Sequence, residues 1–154
     1  MSGPLRLDDR ISVRAPVGTV WEAIRDVGTH ARWHPFVTRI GGQHALGAVR
    51  QCDVQMGATS GHTTERCTAF EPEATISWLI EQDSTGFSRM VTDWTAGFAL
   101  QQEAPGEVVV IAHSSFRPRN LLARLALPLM RGKFHRTQQA ILSSLKQFVE
   151  ARPG

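Results

Sequence analysis

Tyrosine is absent from this sequence, which removes one common phenolic proton donor from any catalytic site it could form. Long apolar runs are missing too: none approaches the ~20 residues that span a bilayer, so no membrane-embedded helix is expected. Met1 to Arg10 carries Asp8 and Asp9 and lacks the apolar stretch of a secretory leader, so the expectation is a soluble, cytoplasmic protein. Cysteine is scarce. Cys52 and Cys67 fall on adjacent predicted strands, but a turn at Met56 to Ser60 pairs Cys52 with a residue near Thr64, about three positions short of Cys67. Two buried free thiols are therefore expected. A nucleophile elbow, a P-loop, a dinucleotide fingerprint and a paired-cysteine zinc motif are all lacking, so no cofactor is expected. His30 and His34 are four apart, but Pro35 ends that helical turn and no Glu or Cys completes a ligand set, so no metal is expected either.

What is present describes a globular chain. Hydrophobic residues make up 42% and charged residues 20% of the sequence, a balance that excludes disorder. A length of 154 residues suits one domain spanning 1–154. The net charge is only +3, yet it is concentrated. Between Arg117 and Arg136 stand Arg119, Arg124, Arg131 and Lys133 with no acidic residue, interleaved with Leu121, Leu122, Leu125 and Leu127. Solvated arginines snorkelling over an amphipathic segment explain such a stretch; so does contact with an anionic headgroup or a membrane surface. Nucleic acid is not an expected partner, because no stacking platform accompanies the charge.

Periodicity orders the elements. Leu5 to Arg14 alternates and stops at Ala15-Pro16, an opening strand. Val17, Val20, Trp21 and Ile24 then recur at helical spacing, with a break expected at Gly28 and a second helical turn over Thr29 to Trp33. From Phe36 to Phe116 the pattern becomes six strands, about 36–40, 47–55, 62–70, 75–81, 87–100 and 107–116, separated by breaks short enough for hairpins. The last segment, Leu129 to Ala151, returns to helical spacing, with Met130, Phe134, Ile141, Leu145 and Phe148 on one side and Leu142 and Val149 beside them. The fold class that follows is α+β: a seven-stranded curved antiparallel sheet gripping a long C-terminal helix, with two short helices after the first strand.

Ala15-Pro16, Val20-Trp21, Asp26 and Trp33-His34-Pro35, followed by Gly41-Gly42, six strands and the final helix, resemble the START-like, helix-grip superfamily in its polyketide cyclase/dehydrase and lipid-transport branch. The resemblance covers nearly the whole chain. It implies a cavity between sheet and helix; it does not choose a chemistry, since the superfamily includes carriers, binders, cyclases and co-chaperone domains.

Strand alternation proposes what lines that cavity. Met90, Thr92, Trp94, Ala96, Phe98 and Leu100 form the more apolar face of their strand and are expected to face the helix, as is Trp78 with Ile76 and Ile80. Met130, Phe134 and Ile141 supply the helix wall, and Thr137 and Gln138 are its polar anchors. The candidate ligand-binding residues are thus Trp78, Trp94, Phe98, Met130, Phe134, Thr137, Gln138 and Ile141. His62, Glu65, Arg66 and His113 are the strand residues suggestive of acid–base chemistry, and solvated outer-face positions are the simpler account of them. The favoured function is non-catalytic binding or carriage of an apolar small molecule, anionic ones included, such as a lipid or a polyketide-like ring system. A cyclase or dehydratase acting through orientation of a reactive chain is the alternative, with Arg66, His113 and Asp93 as its candidate constellation. A protein-interaction module is the third reading.

Overall fold

A computed structural model describes residues 3–43 and 45–151. Strand β1 (Leu5–Val13) leads into two short helices, α1 (Val17–Arg25) and α2 (Val27–Trp33). Then follow β2 (Val37–Gly42), β3 (Val49–Met56), β4 (Thr59–Glu71), β5 (Thr75–Asp83), β6 (Val91–Ala104) and β7 (Glu107–Pro118). The chain ends in α3 (Leu121–Ala126), a 3-10 turn over Leu127–Met130, and α4 (Arg131–Glu150). The seven strands form one antiparallel sheet in the order β1-β7-β6-β5-β4-β3-β2. Strands β2 to β7 are a hairpin meander, and β1 closes the far edge by pairing with β7, from Leu5 opposite Phe116 to Val13 opposite Val108.

Three local features differ from the periodicity. The break between the first helices falls at Asp26, not Gly28: Asp26 is extended, its carboxylate accepts from the Gly28 amide at 2.9 Å, and it caps α2 while ending α1. The strand expected from Phe87 begins at Val91, because Asp83 accepts from the Thr85 and Ser88 amides, each at 3.0 Å, and winds 87–89 into a 3-10 turn. Leu121–Ala126, expected only as a basic approach, is helical: Asn120 accepts from the Ala123 amide at 2.9 Å, and the turn holding Pro128 separates α3 from α4.

Bulges bend the sheet around the helices, at Thr64/Glu65 and Cys67/Ala69 against β5 and at Thr92/Thr95 and Gln102/Ala104 against β7. The Thr92/Thr95 bulge contains Asp93 at φ 52° and reverses the alternation, so Val91 is buried inward while Trp94, Ala96 and Phe98 keep the inward face predicted for them. The most extensive helix–strand contacts are of α4 with β1 and of α2 with β2. The concave middle, over β3 to β5, is therefore reached mainly by side chains.

On α4 the fully buried stripe is Gln138, Leu142, Leu145 and Val149, a three-and-four spacing centred slightly to one side of the stripe read from the sequence. Ile141 and Phe148 lie half-buried at its margin. Apolar packing falls into two clusters. The larger joins α1, Trp33, Ile76, Trp78, Phe98, Leu142, Leu145 and Val149; the smaller joins Leu7, Val91, Phe116, Ala123 and Leu127 with half-buried Phe87, Met90, Trp94, Met130 and Phe134.

Candidate functional site

The residues marked in the sequence divide between these clusters. Trp78 and Phe98 are buried in the larger, Ile141 at its edge. Trp94, Met130 and Phe134 belong to the smaller, where the rings of Phe87, Trp94, Phe116 and Phe134 meet edge to face at 4.9–5.6 Å. Gln138 points inward between them. Thr137 does not: its hydroxyl donates to the Lys133 carbonyl of its own helix at 3.0 Å.

Between the clusters runs a polar band. Ser114 Oγ donates to Gln138 Oε1 at 2.9 Å, and Gln138 Nε2 donates to Asp9 Oδ2 at 2.7 Å. Asp9 also accepts from Gln139 Nε2 at 3.0 Å and faces His135 Nδ1 at 2.8 Å. Burial pushes the Asp9 carboxyl up, but the hydrogen bonds from Gln138, His135 and Gln139 together outweigh it and hold the group below the usual carboxylate range.

The second part of the band is centred on Arg50 and Glu65, and Arg50 carried no mark in the sequence. Arg50 Nε and Nη2 donate to Glu65 Oε1 at 2.9 and 2.7 Å, while Thr63 Oγ1 donates to Glu65 Oε2 at 2.7 Å. The two side chains are only 10% and 12% exposed. The guanidinium lies 3.4 Å from the centroid of the Trp78 ring, a cation–π stack, and its Nη1 is 3.5 Å from His30 Nδ1. His30 Nε2 meets the Ile24 carbonyl, which only accepts. The proton therefore sits on Nε2, and Nδ1 is the acceptor facing Arg50. Both His30 nitrogens are thus occupied, and among the described residues no three His, Cys, Asp or Glu side chains are grouped to hold a metal ion. Desolvation, with the Arg50 charge beside it, pushes His34 down to about 3, so this histidine is neutral. Burial, reinforced by the Glu65 carboxylate, pushes the Cys52 thiol up to about 11. Both cysteines are free and buried.

The middle of the concave face is incompletely buried. Trp78, Ala96, Ser114 and Leu7 lie side by side across four strands. Ala96 and Ser114 in that row are small, and both are only half-buried although Ser114 faces α4; Ile80 and Trp94, on the same face, are half-buried as well. Arg50 adjoins this face at Trp78, Glu65 at Ile80 and Gln138 at Ser114.

The remaining marked groups lie elsewhere. Arg66 is exposed, bonded to Glu81 at 3.0 Å and to the Gly47 carbonyl at 2.9 Å. His62 is exposed beside Asp53, and Asp93 is exposed beside Arg117 at 3.6 Å. His113 is on the convex face, across from Asp8 on β1, and reaches over Gly97 to Ser77 Oγ at 3.4 Å. Gly97 is required there, since a Cβ would stand 2.2 Å from the Ile76 carbonyl oxygen. Arg66, His113 and Asp93 do not converge. Two surface hollows accompany these features: one of about 400 Å³ between Trp21, Arg25, Phe70 and Glu73, and one of about 250 Å³ beside Arg6, Asp8 and His113. Among the described residues, no helix is long and apolar enough to cross a membrane.

Comparison with solved structures places this architecture among helix-grip proteins. The Zhui aromatase/cyclase from Streptomyces sp. R1128 superposes with a TM-score of 0.78 at 17% identity, covering 97% of this chain and 96% of that one. A START superfamily protein from Mycobacterium smegmatis gives 0.77 at 13% identity, covering 94% and 97%. Norcoclaurine synthase from Thalictrum flavum, solved in complex with dopamine and hydroxybenzaldehyde, gives 0.74 at 12% identity, covering 99% and 90%. At these identities the likeness is one of fold. A family model described as polyketide cyclase / dehydrase and lipid transport matches residues 4–150, and the chain belongs to that family.

Proposed function

We propose that this protein binds and carries an apolar small molecule with an anionic or strongly polar end, lodged between the sheet and α4. The incomplete burial at the middle of the concave face carries this reading: Ile80, Trp94, Ala96 and Ser114 are only half-buried where a finished core would bury them fully. The apolar body lies against Trp78, Phe98, Trp94 and Phe134, and the polar end meets Arg50. The bonds to Glu65 and His30 engage three of the five N–H donors of Arg50, which leaves two for a ligand oxygen. Gln138 and Ser114 offer a second polar contact. Half-buried Phe87, Met130 and Phe134 yield to admit the ligand, because they carry less packing than the larger cluster.

Membership of a lipid-transport and polyketide family supports the apolar ligand class. The cyclase reading loses its constellation with the separation of Arg66, His113 and Asp93. Native mass spectrometry of the full chain, with a panel of fatty acids, lysophospholipids and uncharged polycyclic aromatics, is expected to show one-to-one uptake. Arg50→Met/Glu65→Leu is expected to weaken anionic members at least roughly tenfold more than neutral ones, the value of a charge-assisted hydrogen bond. No uptake of any member overturns the proposal; equal weakening of both kinds overturns the role of Arg50.

A further inference from the structure

The segment between the last strand and α4 is built the wrong way round for a soluble surface. Ala123 and Leu127 are buried against the smaller cluster. Leu121, Leu122, Leu125 and Leu129 project into solvent, 68%, 77%, 65% and 88% exposed. They are four of the six large apolar side chains that lie exposed among the described residues, gathered within nine positions. Leu121, Leu125 and Leu129 follow one another at spacings of four, so they continue along one side of the α3 helix and the turn after it. Packing inside this chain does not explain them.

The charge around the leucines is of one sign. No acidic residue occurs between Glu107 and Glu150. Arg124, Arg131, Lys133 and Arg136 are all exposed and form no ion pair among the described residues. Arg131 and Lys133 also occupy the first turn of α4, where the helix dipole disfavours cations, and no acidic residue stands in that turn to offset them. This arrangement costs stability.

We infer that α3 and the following turn form a docking surface for an anionic lipid bilayer, the leucines entering the headgroup–acyl boundary and the four cations meeting lipid phosphates. A second copy of the chain fits less well. An isologous leucine contact would bring two like-charged rims together, whereas an anionic bilayer complements both the apolar stripe and its rim. The inference stands apart from the interior reading, since the surface needs no ligand inside the sheet.

Sedimentation of the 154-residue chain with vesicles of phosphatidylcholine alone, and of phosphatidylcholine with about 30% phosphatidylglycerol, tests it. The protein is expected to sediment with the anionic vesicles and to be released by 0.5 M salt. Leu122→Ser/Leu125→Ser/Leu129→Ser is expected to reduce binding by at least roughly tenfold per leucine removed. Arg131→Glu/Lys133→Glu should reduce it by roughly fivefold or more per charge. Both variants alter exposed positions, so a cooperative thermal transition with a midpoint no lower than that of the unaltered chain confirms that they fold. Binding to neutral and anionic vesicles alike, binding unaffected by either variant, or no binding at all overturns the inference. A concentration-dependent dimer in analytical ultracentrifugation that the triple-serine variant abolishes, without vesicle binding, assigns the surface to self-association instead.

Discussion

Arg50 and Glu65 face each other on adjacent strands, almost excluded from water, with Trp78 beneath the guanidinium. Desolvating two charges is costly, and a pair of apolar residues of similar volume would hold the same space at equal or greater stability. Their presence is better explained by a task than by the fold. Two variants separate the two explanations. Glu65→Gln is expected to destabilise the protein by about 3 kcal/mol in urea unfolding, because it leaves a buried cation uncompensated. Arg50→Met/Glu65→Leu is expected to recover most of that loss and yet bind anionic ligands poorly. A double variant no more stable than Glu65→Gln would show instead that the pair serves the fold.

At the scale of elements, the carboxylate of Asp9 fastens α4 to the edge strand β1 by accepting from Gln138, His135 and Gln139. Because its folded pKa is depressed, the stability it contributes is fully present above the unfolded value near 3.8 and is lost as pH falls through the folded one. Asp9→Asn is therefore expected to cost about 2 kcal/mol at pH 7, the scale of a hydrogen bond to a charged group. The gap between variant and wild type should narrow below pH 4, read from denaturation midpoints at pH 7 and pH 3. A gap that does not change with pH would detach the effect from the carboxylate charge.

Elements were also what the sequence expressed most clearly, since the two helices, the meander and the final helix each bury a continuous face and so write a period of 3.6 or 2. The site was only half legible. Trp78, Trp94, Phe98 and Gln138 follow from such periods, but Arg50 and Glu65 depend on register, and a slip of one residue exchanges the two faces of a strand. Cys52, expected opposite a residue near Thr64, pairs with Thr63. A usable signal was present all the same. Stepping by two from Cys52, expected to be buried, leads to Arg50, and stepping by two from Cys67 leads to Glu65 and Thr63. The exposed leucines of α3 were counted with the basic stretch, but their outward aspect depended on which helical face covers Phe116 and Leu7, which periodicity alone does not record.

Of the two clusters, the larger holds more fully buried residues, and half-buried side chains make up a greater share of the smaller. Val20, Ile24, Ile76, Leu142 and Leu145 are completely buried in the larger, whereas Phe87, Met90, Trp94, Met130 and Phe134 of the smaller are all half-buried. A ligand path under α3 would part the smaller cluster and leave the larger closed. Both cysteines report on the closed part: Cys67 belongs to the larger cluster, and Cys52 stands across from Thr63 beside the Arg50–Glu65 pair. With its thiol pushed up to about 11, Cys52 carries a thiolate in roughly one molecule in a thousand at pH 8, and burial adds steric protection. Alkylation of either thiol at pH 8 is therefore expected to be at least about a hundredfold slower than that of an unfolded control. The two should be modified at one common rate, that of global unfolding followed by tryptophan fluorescence. Rapid modification of Cys52 alone would mean that β3 parts from α2 without unfolding, and would move the path for a ligand from the α3 end to the α2 end.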